Sequence, residues 1–453
     1  MSKETKKKVK RASSLSMPIV HENAAGIDIS ARGHAVAIPP GRDEVCVREF
    51  GAFTEDLYSI AEWLKNCGIT TIAMESTGVY WKPLYRVLLE YGFSVALVNA
   101  RHVKNVAGRK NDMDDAQWIQ KLHSAGLLNS SFLPDETTES LRVLIRHRKR
   151  LIEDSSRYVL RMQKALELMN IKIHSVINDI TGKTGTAIIE AILQGERNPS
   201  NFLQYVDSRI KADHDTICKS LMGSWHEEQI FTLAENYQLY KYIQQRIVIC
   251  ESKIEQHLQK QVAINNEGII EAPEKEKMIS KKKKTKNQPL FNVKNYLMKI
   301  HEVDATAIFG ISENTALEIL AETGTDLSKW ETENHFISWL NLCPNNKISG
   351  GKLISSMVMK KKAGYATQAF RAAANSVQRS DNWLGDYFRR MKAKGGNKYA
   401  IIAVARKIAL IYYKMVRYKQ EFKPVDADEY RKKYKAAKIG YLEKQLAKLR
   451  EAA

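Results

Sequence analysis

The chain has 453 residues, 44% of them hydrophobic and 27% charged, with 71 Lys and Arg against 51 Asp and Glu and a net charge of +20. That length exceeds one ordinary core and that composition excludes a disordered chain, while the charge calls for a polyanionic partner, because each cation near a phosphate releases a condensed counterion. No run approaches the ~20 continuous apolar residues of a membrane-spanning helix, and the basic start MSKETKKKVKRASSLSMPIV lacks the apolar stretch of a secretory signal.

Residues 1–20 read as a basic flexible arm. Residues 21–138 alternate strand and helix signals: AAGIDIS, GHAVAIPPG and EVCVREFGA are strand-like segments separated by turn residues. TEDLYSIAEWLKNCG reads as a helix capped by Thr54 and closed by Gly68, with Leu57, Ile60, Ala61 and Leu64 on one face. TTIAMES returns to strand, VYWKPLYRVLLEYG to helix, SVALVNA to strand and NDMDDAQWIQKLHSAGLL to helix. The order implies an α/β domain whose sheet mixes hairpin and crossover connections.

Residues 139–265 are dominated by long helices. Leu141, Leu144, Leu151, Tyr158, Met162 and Leu166 form one apolar seam, and Ile230, Leu233, Tyr237, Tyr240, Ile247, Ile254 and Leu258 a second near heptad spacing. Arg148, Ser155, Gln244 and Glu251 interrupt these seams. The pattern fits a coiled coil within one chain or between chains, and equally a packed helical domain. TGKTGT at 181–186 is no P-loop, since Ile177 stands where the first glycine is required. A charged linker at 266–290 carries Lys281 to Lys284; a second compact region, mostly helical, spans 291–422, and a basic helical tail follows at 423–453. The five cysteines are scattered, with no C-x-x-C pair, which argues for a reducing interior and against a zinc site.

The acidic residues stand out against the basic background. Asp28 lies inside the first apolar strand, where an unpaired carboxylate costs several kcal/mol. Glu75 ends the fourth strand in IAMESTG, and Asp112 and Asp115, three apart at a helix start, project from one face, with Asp114 directed elsewhere. Aspartates at a helix start are commonly caps or dipole partners. Four carboxylates from two strands and a helix are also the hard-oxygen donor set that two divalent cations require.

GIDIS, AMESTGVYW and KNDMDDA together resemble the RuvC-like, RNase H-type domain of the DEDD insertion-sequence transposases of the one-ten family. The family's Lys-x-Asp-x-x-Asp-Ala helix motif is matched by Lys110, Asp112, Asp115 and Ala116. The resemblance implies Asp28, Glu75, Asp112 and Asp115 as ligands of Mg²⁺ (or Mn²⁺) that position a scissile phosphate, with Lys110 beside the nucleic acid.

The distal region resembles the C-terminal domain of the same family. VDATAIFGISENTALEILAETG reads as a helix, a Gly310-Ile311-Ser312 turn and a second helix. That is a helix-hairpin-helix-like segment, although Ser312 replaces the second glycine of the usual phosphate-binding turn and simple helix packing is as good a reading. In CPNNKISGGKLISS, the family match makes Ser349 the nucleophile. Lys347 and Lys352 are set to hold a phosphate, and Gly350 and Gly351 to allow close backbone approach.

The resemblance further implies cleavage and rejoining of donor and target DNA through a phosphoserine link. It also implies guidance by a structured noncoding bridge RNA, a homo-oligomer (dimer or tetramer), and a bacterial or archaeal cytoplasmic, nucleoid-associated setting without a membrane. A DEDD nuclease or Holliday-junction resolvase using water, or a non-catalytic nucleic-acid-binding protein, are the competing functions; a membrane-surface role is the weakest.

Overall fold

The computed structural model describes residues 18–99, 112–265, 287–357 and 364–451. The arm at 1–17, Lys110, most of the lysine-rich linker and the side chain of Asp112 lie outside the described residues. Two compact units divide the chain, residues 1–133 and 134–453.

The first unit is built on a five-stranded mixed sheet of order β3-β2-β1-β4-β5. Its strands are β1 (Ala24–Ile29), β2 (Gly33–Ala37), β3 (Val47–Gly51), β4 (Thr71–Glu75) and β5 (Ser94–Val98). The first three are joined as antiparallel hairpins. The helices α1 (Thr54–Asn66) and α2 (Trp81–Glu90) carry the chain across to β4 and β5, which lie parallel to β1. Strand periodicity sorts the side chains between two faces. Ala25, Ile27, Ile29, Ile72, Met74 and Leu97 pack with Leu57, Ile60 and Leu64 of α1 and Leu84 and Leu88 of α2. The other face is covered by α3 (Asp112–Ser124), through Ala116 against Ala35 and Ala37, and Ile119 against Ala73 and Val98.

All four residues expected on the inner face of α1 are buried. Its cap differs from expectation. Phe53, not Thr54, occupies the cap position, and the Asp56 carboxylate reaches back to accept its backbone N–H at 2.9 Å. An acid at the third helical position serves the helix start as well as a capping hydroxyl does.

Among its described residues the second unit is helical apart from one hairpin. Two long helices, α4 (Glu136–Leu168) and α6 (Glu227–Asn265), flank a smaller group that includes α5 (Lys183–Leu193). α4 and α6 pair antiparallel within the chain: the Thr137 carbonyl meets His257, Leu144 meets Cys250, and Ser155 meets Gln244. The polar residues that break the two apolar seams find each other. Gln244 Nε2 donates to Ser155 Oγ at 2.7 Å, and Arg148 donates to Glu251 at 2.8 Å with both side chains 5% exposed. Each is satisfied by its counterpart, which removes the cost of burying it alone.

The remaining helices are α7 (Val293–His301), α8 (Glu313–Thr323), α9 (Glu333–Trp339), α10 (Tyr365–Ser376), α11 (Trp383–Tyr418) and the tail helix α12 (Ala427–Glu451). Tyr412 and Tyr413 of α11 and Phe336 and Phe370 form their fully buried aromatic centre. The helix expected just before Gly310 is only a 3₁₀ turn, Ala305–Ala307: Asp304 caps its start by accepting the Thr306 N–H, and the extended backbone of Ile308 ends it. Gly310, at φ +91°, sits where a Cβ would approach the Ala373 carbonyl to 2.4 Å, and Ser312 spends its hydroxyl capping α8. This turn is a packing joint against α10. All five cysteines are free, and no described helix is long and apolar enough to cross a membrane.

Candidate active site

The geometry of the acidic group follows from register. Ile27 of β1 lies opposite Met74 of the parallel strand β4, so one residue further along both strands Asp28 and Glu75 stand side by side. Neighbouring strands are about 4.8 Å apart. Both acids point to the α3 face, because their neighbours Ile27 and Met74 enter the core under α1 and α2. Asp28 is half-buried, and Glu75 is 8% exposed. Thr77 Oγ1 donates to Glu75 Oε1 at 3.3 Å, and the Thr77 N–H bonds the Glu75 carbonyl at 3.0 Å, so the loop after β4 folds back on its own acid.

α3 runs antiparallel to β1. At its C-terminal end the Ser124 carbonyl accepts from Val20 and His21; one turn earlier Gln120 Nε2 donates to the Ala24 carbonyl at 3.2 Å. Nearer the start, Gly26 faces the Ala116 carbonyl and the Gln120 N–H. The same direction holds on β4, where Thr71 Oγ1 bonds His123 Nε2 at 2.9 Å. Burial and the nearby His21 ring lower the His123 pKa to about 4, so that bond is made by a neutral imidazole. This progression directs the first turn of α3, which carries half-buried Asp115, towards the ends of β1 and β4.

The carboxylates are hard oxygen donors of the kind Mg²⁺ and Mn²⁺ prefer. Asp28, Glu75 and Asp115 are all described, yet among the described residues no group of three or more His, Cys, Asp or Glu side chains is gathered to hold a metal ion: the structure sets Asp28 beside Glu75 and does not bring Asp115 together with them, and the side chain of Asp112, the fourth acid, is outside the described residues.

Gly26 sets how closely α3 approaches. A Cβ there would lie 2.2 Å from the Gln120 nitrogen and 2.4 Å from the Ala116 oxygen, both main-chain atoms that cannot swing aside. Gly26→Ala is therefore expected to push α3 off β1 and destabilise the first unit by about 1–3 kcal/mol. A thermal melt followed by circular dichroism checks this, and an unchanged melting temperature would refute it. Sequence reading missed Gly26 because a glycine inside a strand signals close approach without naming the partner.

Ser349 stands on the hairpin β6 (Asn345–Ser349) and β7 (Lys352–Met357), within a region whose sequence reads as mostly helical. Gly350 and Gly351 form its two-residue turn at φ +55° and +76°, the signature of a type I′ connection. Among the described residues a Cβ on either would meet nothing within 4 Å, so these glycines serve the positive-φ backbone of the turn. Ser349 pairs directly with Lys352, and both are exposed; such cross-strand partners hold their Cβ atoms about 5 Å apart. The side chain of Lys347 lies outside the described residues. The Gly-Gly pair flanked by isoleucine and leucine was the available hairpin signal.

Two transposase family models match the chain. One, for DEDD transposases of the IS110 type, covers residues 25–171, and the other, described as Transposase IS116/IS110/IS902 family, covers residues 305–389. No curated protein matches. The first match contains Asp28, Glu75, Asp112 and Asp115, and the second contains Ser349. With both family domains present in their order and together spanning just over half of the sequence, the chain belongs to the IS110-type transposases.

Proposed function

We propose that this transposase cuts and rejoins donor and target DNA by a metal-dependent reaction in which Ser349 is the nucleophile and Asp28, Glu75, Asp112 and Asp115 hold the metal. The observation that carries the reading is the pair Asp28 and Glu75, level on adjacent parallel strands beneath the helix that bears Asp115. Three hairpin-connected strands followed by two parallel crossover strands support a RuvC-like, RNase H-type assignment for the first unit.

Mg²⁺ or Mn²⁺ on these carboxylates would polarise a phosphoryl oxygen and offset its negative charge. Ser349 Oγ forms the new bond to phosphorus while one phosphorus–sugar oxygen bond breaks. The net proton passes from the serine hydroxyl to the departing sugar oxygen, and the phosphoserine link conserves the bond for rejoining. Lys352, across the turn from Ser349, favours the alkoxide by its charge. Lys347, Gly350 and Gly351 bind the flanking phosphate on this reading, and Lys110 the nucleic acid near the acids. The net charge of +20 supports a second polyanion, a structured bridge RNA that pairs with both DNAs, and a dimer or tetramer would allow acids and serine to come from different protomers.

The test is label transfer. Protein expressed with its flanking DNA, and with the RNA that copurifies, is incubated with labelled donor and target DNA and Mg²⁺. Label retained on denatured wild-type protein and absent with Ser349→Ala and Asp115→Ala is the expected result. Cleavage without attached label, undiminished in Ser349→Ala, would make the protein a water-using nuclease.

A further inference from the structure

The long helix α11 is not continuous: Gly396, at φ +80° and ψ 179°, interrupts it. In an unbroken helix Tyr387 and Arg406, 19 residues apart, would be separated by about 28 Å. Instead they line one cavity of about 640 Å³, together with Tyr399, Lys407 and two residues of the Ser349 hairpin's base, Pro344 and Ser356. The chain therefore turns sharply at the glycine pair. Gly395 is needed too, since a Cβ there would lie 2.7 Å from the Tyr399 ring.

The chemistry of this cavity is selective. Its described lining carries two cations, two phenol rings and no acid, and the exposed Lys392, Lys394 and Lys398 flank the glycine pair in sequence. Tyr399 is 44% exposed, so its ring is available for stacking. Aromatic faces beside cations are what an unstacked base and its phosphate require. The cavity also has a fixed relation to Ser349. Ser356 Oγ donates to Asn346 Oδ1 at 2.7 Å across the hairpin, three residues from Ser349. Three strand residues span about 10 Å, close to three stacked nucleotides at ~3.4 Å each.

We infer that this cavity captures an unstacked nucleotide of single-stranded DNA, on the strand that leads to Ser349. The assignment to DNA rests on Ser349 acting on DNA as proposed above; the cavity's preference for a base and phosphate does not. Holding one base out of the stack would anchor the strand and set the register of the phosphate presented to the hairpin.

The experiment uses the full-length Ser349→Ala protein, so that binding is read without strand chemistry. A short oligo(dT) carrying one 5-iodouracil is bound, irradiated and mapped by mass spectrometry, alongside the matching oligo(U). The expected result is a DNA crosslink at Tyr399 or Tyr387, with oligo(dT) affinity roughly 5- to 150-fold weaker in Tyr399→Ala and retained in Tyr399→Phe. Arg406→Ala should lower the salt dependence of binding by about one phosphate contact. Crosslinks confined to residues outside the cavity, an affinity unchanged in Tyr399→Ala, or crosslinking of the RNA in preference to the DNA would each overturn the assignment. Failure here with label transfer intact would remove the cavity and leave the serine reaction standing; the reverse pattern would do the opposite.

Discussion

Glu75→Gln, and separately Asp28→Asn, are expected to lower DNA strand cleavage by at least about 10³-fold, the order set by losing several kcal/mol of charge stabilisation at phosphorus. Both changes keep shape and remove one negative charge. Glu75 is nearly buried and braced by Thr77, so a neutral amide in its place keeps the loop geometry while losing the hard anionic donor. Asp28 lies on the same sheet face one strand away, so its loss should be no milder. Cleavage of labelled DNA in Mg²⁺, set beside a melting curve for each variant, makes the measurement. A variant that melts like wild type but cuts normally would remove that residue from the proposed metal-binding set. Thr77→Val should have a smaller effect, since it removes a brace and leaves the carboxylate.

Glu251→Ala should cost the second unit about 3–5 kcal/mol, the usual penalty for breaking one side of a buried ion pair. The reason is what it leaves behind. Arg148 donates to Glu251 at 2.8 Å, to Asn314 Oδ1 at 2.9 Å and to the Asn287 carbonyl at 2.6 Å, and Glu251 also accepts the Leu290 N–H at 3.0 Å. One guanidinium thus ties α4 to α6, to α8 and to the segment entering α7. Without the carboxylate, a charge remains buried with only neutral partners. The double change Arg148→Met with Glu251→Leu should recover much of the loss, because apolar residues of similar volume often replace a buried pair at little cost. Urea unfolding of the full chain reads both. If Glu251→Ala unfolds at the wild-type midpoint, the network contributes nothing to stability.

Much of this molecule was legible before any coordinates. Short runs bounded by Gly, Pro, Asn and Asp, alternating with 3.6-residue periodicity, determined the order of three strands, helix, strand, helix, strand, helix, and the inner face of α1 down to its residues. Local pattern suffices there because a strand or helix must bury one side, and its sequence records which. The family was legible as well, since acids and serine occur in motifs whose residues are close in sequence.

Contacts between distant segments were not. That Gln244 meets Ser155 and Arg148 meets Glu251 is a matter of which helix packs on which and in what direction; from one chain alone, each looked like a flaw in its own seam. Gly26 admits α3 from 90 residues away, and Asp28 stands level with Glu75 only because β1 and β4 pair in one particular register. The fold of α11 at Gly395 and Gly396, which joins Tyr387 and Arg406 in one cavity, is likewise a product of packing. Sequence by itself determined the elements, their faces and the chemical groups available. Tertiary structure decided which of those groups share a space, because a contact's position depends on pairing register and helix direction, and both are settled by burying all the apolar faces at once.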